Sequence, residues 1–139
     1  MNVILSIKPK YAAMIYDGNK TVELRRYFPV SPDKFDQTKD WVYLYESSPV
    51  QAITGKFSVS QVTFYTPYSA WLYTKNDCGI AQAEYDKYFA GTDIAYALYV
   101  EHVIKFVPIP LNKIKKFWQN FRPPQNYRYM KSNRDIGGE

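Results

Sequence analysis

Three side chains in a short charged run, GNKTVELRR from Gly18 to Arg26, are of the right types and spacing to act together: Lys20, Glu23 and Arg25. A lysine and an arginine can hold a phosphate or polarise a carbonyl. A glutamate between them can accept from an exocyclic amine or serve as a base. In an extended chain Thr21, Glu23 and Arg25 share one face, and Lys20, Val22, Leu24 and Arg26 share the other. Val22 and Leu24 then look into the core, Glu23 and Arg25 point away from it, and Lys20 opens the strand. The plainer alternative is an ion pair between Glu23 and Arg25 with Lys20 in water.

Further candidates lie downstream. In WVYLYE (Trp41 to Glu46), Tyr43 and Tyr45 alternate on one face, where they either stack on a base or cover a core. Glu46 ends the Val42/Leu44 face, so it is either an inward carboxylate in need of a partner or a strand-end residue leaving the core. Arg128, between Tyr127 and Tyr129, either closes over a ligand or covers a sheet edge. The single cysteine, Cys78, and single histidine, His102, exclude a disulfide framework and every Cys/His zinc pattern, and their spacing does not suggest a catalytic pair. No metal and no cofactor is expected.

The charge distribution points to a class of partner. The chain of 139 residues carries a formal net charge of +5. From His102 to Arg134 it has no acidic residue, while Lys105, Lys113, Lys115, Lys116, Arg122, Arg128, Lys131 and Arg134 are basic. Aromatic residues are interleaved, among them Phe117, Trp118 and Phe121. Cations neutralise phosphates and aromatic faces stack on bases, so Lys113, Lys115, Lys116 and Arg122 mark a candidate nucleic-acid surface. A cationic helix with its aromatics in the core is the competing reading. No apolar run of transmembrane length or secretory leader is present, so a cytoplasmic protein without a membrane partner is expected.

The elements that must position these residues follow from periodicity. Asn2 to Ile7 alternates as a strand, Pro9 opens a helix, and Gly18 closes it in a left-handed conformation. Lys20 to Arg26 is the second strand, 27–40 a loop, and Trp41 to Glu46 the third. Ala52 to Val59 and Val62 to Tyr65 form one long or bent strand, with Gly55 a bulge or a close-approach point. Thr66-Pro67 starts a short helix, and Ala81 to Phe89 forms another that ends at Gly91. Ile94 to Val107 is a strand kinked near Glu101-His102 and stopped by Pro108 and Pro110. Asn112 caps a last short helix, and RPPQNYRYM is an extended arm. Residues 1–130 are expected to form one domain, with 131–139 a flexible tail. Strands mixed with helices, without regular βαβ alternation, indicate an α+β fold with a curled mixed sheet.

Ser6-Ile7-Lys8-Pro9, Tyr11-Ala12 and Gly18-Asn19-Lys20-Thr21-Val22-Glu23-Leu24-Arg25 together resemble the GxKxxExR signature of the ASCH family within the PUA-like superfold. Tyr45 to Pro49, Gly55 to Phe57, Ala95 to Leu98 and Pro123 to Tyr129 resemble the same family in the same order. The resemblance implies a small mixed-strand β-barrel flanked by short helices, with Lys20, Glu23 and Arg25 in a cleft. It implies RNA or a modified nucleoside as the partner. Two functions follow: a nucleic-acid or modified-nucleobase-binding domain of regulatory type, or a small metal-free hydrolase. The hydrolase would be an amidohydrolase on N-acylated cytidine-type nucleosides or a ribonuclease, with Lys20 and Glu23 catalytic. Family amidohydrolases carry a threonine where this chain has Glu23, and Thr21 is one residue away from that position. Binding is therefore placed ahead of catalysis, with Lys20, Thr21, Glu23, Arg25, Tyr45, Glu46 and Arg128 expected on the ligand.

Overall fold

The computed structural model describes residues 1–130; the expected tail at 131–139 lies outside the described residues. The elements run β1 (Asn2–Ile7), α1 (Pro9–Asp17), β2 (Val22–Arg25), β3 (Val42–Glu46), β4 (Ala52–Tyr65), α2 (Pro67–Thr74), α3 (Gln82–Tyr88), β5 (Ala95–Pro110), α4 (Leu111–Phe117) and β6 (Tyr127–Met130). The strands form a six-stranded sheet in the order β2-β5-β4-β3-β1-β6. Only β1 and β3 pair in parallel among these strands; the other neighbours are antiparallel.

The fold is α+β with a mixed sheet, as expected, but the described ladders do not close it into a barrel. β2 and β6 stand as its two edges. The long strands β4 and β5 curl instead, because their pairing shifts register three times, at Ile53/Gly55, Phe57/Val59 and Val59/Gln61. Each unpaired residue bends its strand and increases the local twist. The shift after Phe57 places Glu101 and His102 at the expected kink. The shift near Gly55 explains a departure from expectation: β5 runs through Pro108 to Pro110. Pro108 falls where the ladder is already interrupted, so its missing N–H breaks no regular pairing. Helix α4 consequently begins at Leu111 with Pro110 at its N-cap and no side-chain cap, so Asn112 is inside the helix rather than capping it.

Central strands bury both faces, which divides the core. Val3, Leu5 and Ile7 of β1 join Val42 and Leu44 of β3 against Ala12 and Ile15 of α1. Their alternates, Ile4, Tyr43 and Tyr45, pack on the other side with Ile114 of α4, Phe121 and Met130. A third cluster gathers Val22 and Leu24 of β2 with Ala70, Cys78, Tyr85 and Phe89.

Two glycines are required by geometry. Gly18 has φ of 86° and donates its N–H to the Ile15 carbonyl at 3.2 Å, so the chain passes from α1 to β2 almost without a loop. At Gly55 a Cβ would lie 2.5 Å from both the Ile104 carbonyl oxygen and the Tyr16 hydroxyl. Only a residue without a side chain fits between β5 and α1 there.

Candidate functional site

The charged run that opens β2 is not a solvated edge. Lys20, Glu23 and Arg25 are 1%, 4% and 8% exposed. Residues 23 and 25 share a face by strand alternation, which brings Arg25 Nη1 to 3.1 Å from Glu23 Oε2. Lys20 stands just before β2, with its N–H donating to the Met14 carbonyl of α1 at 3.0 Å. That turn swings its ammonium back to 3.1 Å from Glu23 Oε1. One carboxylate is thus shared by two cations.

Both cations also donate to backbone. Lys20 Nζ donates to the Cys78 carbonyl, and Arg25 donates to the Ser6 carbonyl at 3.1 Å and the Asn126 carbonyl at 2.8 Å. Two cations therefore tie β2 to the end of β1, the loop before α3 and the segment before β6. Burial pushes the Glu23 carboxyl up, but the charges and hydrogen bonds of Lys20 and Arg25 outweigh it and hold it below its ordinary 4.5. Glu23 is ionised, with each carboxylate oxygen paired to a cation. A base working near neutrality needs the opposite adjustment.

The triad forms the floor of a cleft of about 630 Å³ between α1, β2, α3 and residues 125–126. Lys8 and Tyr11 come from the start of α1, Arg26 from the end of β2, Glu84, Lys87 and Tyr88 from α3, and Gln125 and Asn126 from the chain entering β6. Five cationic residues and two carboxylates line it, leaving three formal positive charges in excess. The N-terminus of α1 adds positive potential. Both carboxylates are engaged: Glu23 as described, and Glu84 by Lys10 at 3.0 Å and by the Tyr11 hydroxyl. The Tyr11 ring also faces the Lys20 ammonium at 5.3 Å. Such a cleft favours an anionic ligand with some planar surface.

Other expected ligand residues lie elsewhere. Tyr45 is 2% exposed and packs its ring 6.1 Å from Phe121 in the second core cluster, so it offers no face to a base. It is a core aromatic because β3 is central and both of its faces are covered. Glu46 ends the opposite face, where its charge adds to the burial that pushes the Tyr16 hydroxyl up to about 12. Thr21 is exposed outside the cleft, its backbone bonded to Asp77 and Val100. Arg128 stacks over Trp118 at 4.6 Å on the α4 side. Lys113, Lys115, Lys116 and Arg122 are exposed there, with Phe117 beside them at 52% exposure.

Sequence reading missed Ser6, Lys8, Tyr11, Arg26, Glu84, Lys87, Tyr88, Gln125 and Asn126 as cleft residues. On α3 a signal existed: Glu84, Lys87 and Tyr88 are spaced three and four apart and so share a helix face. No group of three or more His, Cys, Asp or Glu residues suited to a metal ion occurs among the described residues. Nor is any described helix long and apolar enough to cross a membrane.

This arrangement of strands and helices is that of a known family. Residues 5–113 match the ASCH domain, and the chain belongs to the ASCH domain family. It is 26% identical over 128 residues to an ASCH domain-containing ribonuclease of Zymomonas mobilis, covering 92% of this chain and 83% of that protein. The crystal structure of ASCH from Zymomonas mobilis superimposes with a TM-score of 0.85 at 25% identity, covering 96% of this chain and 90% of that one. The large ribosomal subunit protein uL22 of Ureaplasma parvum is 25% identical over 131 residues, which are 93% of this chain but 39% of that protein.

Proposed function

We propose that this protein binds single-stranded RNA, seating one nucleotide in the cleft and neutralising flanking phosphates with the basic surface around α4. The observation that carries the reading is the cleft's charge: three formal positive charges in excess, with both carboxylates consumed by internal partners. In this reading Lys20, Glu23 and Arg25 build the floor and its potential, and the rim residues Lys8, Lys87 and Asn126 touch the ligand. The chain after α4, residues 118–126, runs from the α4 side to the cleft, and in this reading Arg122, Lys113, Lys115 and Lys116 meet phosphates of the same strand. The names of two relatives, a ribonuclease and a ribosomal-subunit protein, agree with RNA as the partner.

One observation favours a second reading, metal-independent RNA cleavage: the Zymomonas relative that matches over 92% of this chain is named a ribonuclease. In that case Glu23 and Lys20 are read as positioning residues, since Glu23 is held ionised between two cations and is a poor base near neutrality. Binding stays ahead for this reason. The test is titration of a labelled single-stranded RNA with product analysis of the same samples. Salt-sensitive binding without product supports the first reading, and fragments formed in the presence of a chelator support the second.

A further inference from the structure

Among the described residues, three buried side-chain polar atoms have no hydrogen-bond partner, and two belong to cleft residues: Ser6 Oγ and Arg26 Nε. The Arg26 guanidinium stands 5.9 Å from the Tyr88 ring centre and 6.0 Å from that of Tyr27. Its backbone N–H donates to the Tyr88 hydroxyl at 3.4 Å, which ties the end of β2 to α3. The cleft's carboxylates are already taken, Glu23 by Lys20 and Arg25 and Glu84 by Lys10 and Tyr11. Arg26 is half-buried with its Nε enclosed and without an acceptor among the described residues, and a ligand that supplies acceptor oxygens to the guanidinium would satisfy it.

We propose that Arg26 is the fork that grips a phosphate of the ligand, its half-buried guanidinium turning to donate to two phosphate oxygens. A guanidinium is always charged, planar and matched to phosphate in a bidentate geometry, and two tyrosine rings lie about 6 Å from this one. Arg25, one residue earlier, is already committed within the protein, with both terminal nitrogens donating to Glu23, Ser6 and Asn126. Strand alternation separates the two arginines: one completes the floor, and the other has no acid partner among the described residues. The proposal rests on the reading of the cleft as a nucleotide site and specifies which group of the nucleotide is held.

The test compares adenosine with adenosine 5′-monophosphate by thermal shift and calorimetry on the wild type, Arg26→Lys and Arg26→Gln. The nucleotide is expected to bind and raise the melting temperature, and the nucleoside to do neither. Arg26→Lys keeps the charge but loses the fork, so nucleotide affinity should fall about tenfold or more, nearly as far as in Arg26→Gln. Should the Arg26 variants fail to fold, Tyr88→Leu, which removes one of the two rings beside the guanidinium, is expected to weaken the nucleotide on an intact fold. Wild-type affinity in a folded Arg26→Lys or in Tyr88→Leu overturns the fork, as does an equal response to nucleoside and nucleotide. A single-stranded RNA arm separates the two claims. Nucleotide binding lost in Arg26→Lys, without RNA binding by the wild type, sinks the RNA reading and supports the fork. RNA binding indifferent to Arg26 sinks the fork alone.

Discussion

Arg25 Nη1 lies 3.1 Å from Glu23 Oε2, and both residues are buried beneath the cleft that they help to form. With Lys20 on the other carboxylate oxygen, the pair becomes a buried triad carrying one net positive charge. Removing the carboxylate leaves two cations facing each other away from water. Glu23→Gln should therefore destabilise the fold by about 3–5 kcal/mol, the usual cost of breaking a buried ion pair from one side. Urea unfolding measures this, and a loss under about 1 kcal/mol would show that the triad is more solvated than its burial implies.

The same triad fixes an acid limb of stability. Glu23 titrates below its ordinary 4.5 in the folded protein, so at acid pH the unfolded chain takes up its proton first. Its stabilisation is complete above about 4.5 and is lost as pH falls through the lower folded value. Melting temperature followed from neutral pH into that acid range should drop in the wild type and drop less steeply in Glu23→Gln. Parallel curves for the two proteins would remove Glu23 as the source.

The two structural glycines should respond unequally. At Gly18 an added Cβ meets nothing within 4 Å, so Gly18→Ala costs only the left-handed backbone, on the order of 1 kcal/mol. At Gly55 the Cβ would collide with the Ile104 carbonyl and Tyr16, so Gly55→Ala should cost more, about 1–3 kcal/mol from overpacking. Chemical denaturation of both variants gives the ranking, and a Gly18→Ala loss larger than that of Gly55→Ala would contradict the packing described.

Parts of this site were legible because they depend on neighbours in sequence. Pro9, Gly18 and the alternation of Val22 and Leu24 set α1, its end and β2, and with them the meeting of Lys20, Glu23 and Arg25. How deeply that triad is buried was not legible, because α3 and residues 125–126 cover it from far along the chain. Tyr45 was misread for a related reason: alternation shows which residues share a face, but not that α4 and Phe121 cover that face. Strand β6 was read as an extended arm because its partner β1 lies at the other end of the described chain, Asn2 opposite Met130. Pro108 looked like a strand stop because the bulge that tolerates it is a property of the β4–β5 pairing.

The basic surface has its own signature. Each phosphate contact removed from a single strand lowers the slope of log K against log salt by about 0.7. Changing Lys113, Lys115 and Lys116 together to Gln should flatten the RNA-binding slope by up to about 2 without altering the melting temperature, since all three are exposed. Unchanged slopes would assign these lysines to solvation alone.

The central claim is that the cationic cleft holds RNA, and it is tested most directly by one titration. Fluorescence anisotropy of a labelled single-stranded RNA is followed at low salt with the wild type and with Lys8→Gln/Lys87→Gln, which alters the rim and leaves the buried triad intact. Saturable wild-type binding, weakened about tenfold or more in the double variant at an unchanged melting temperature, is the predicted result. No binding by the wild type at low salt, or equal binding by both proteins, would contradict it.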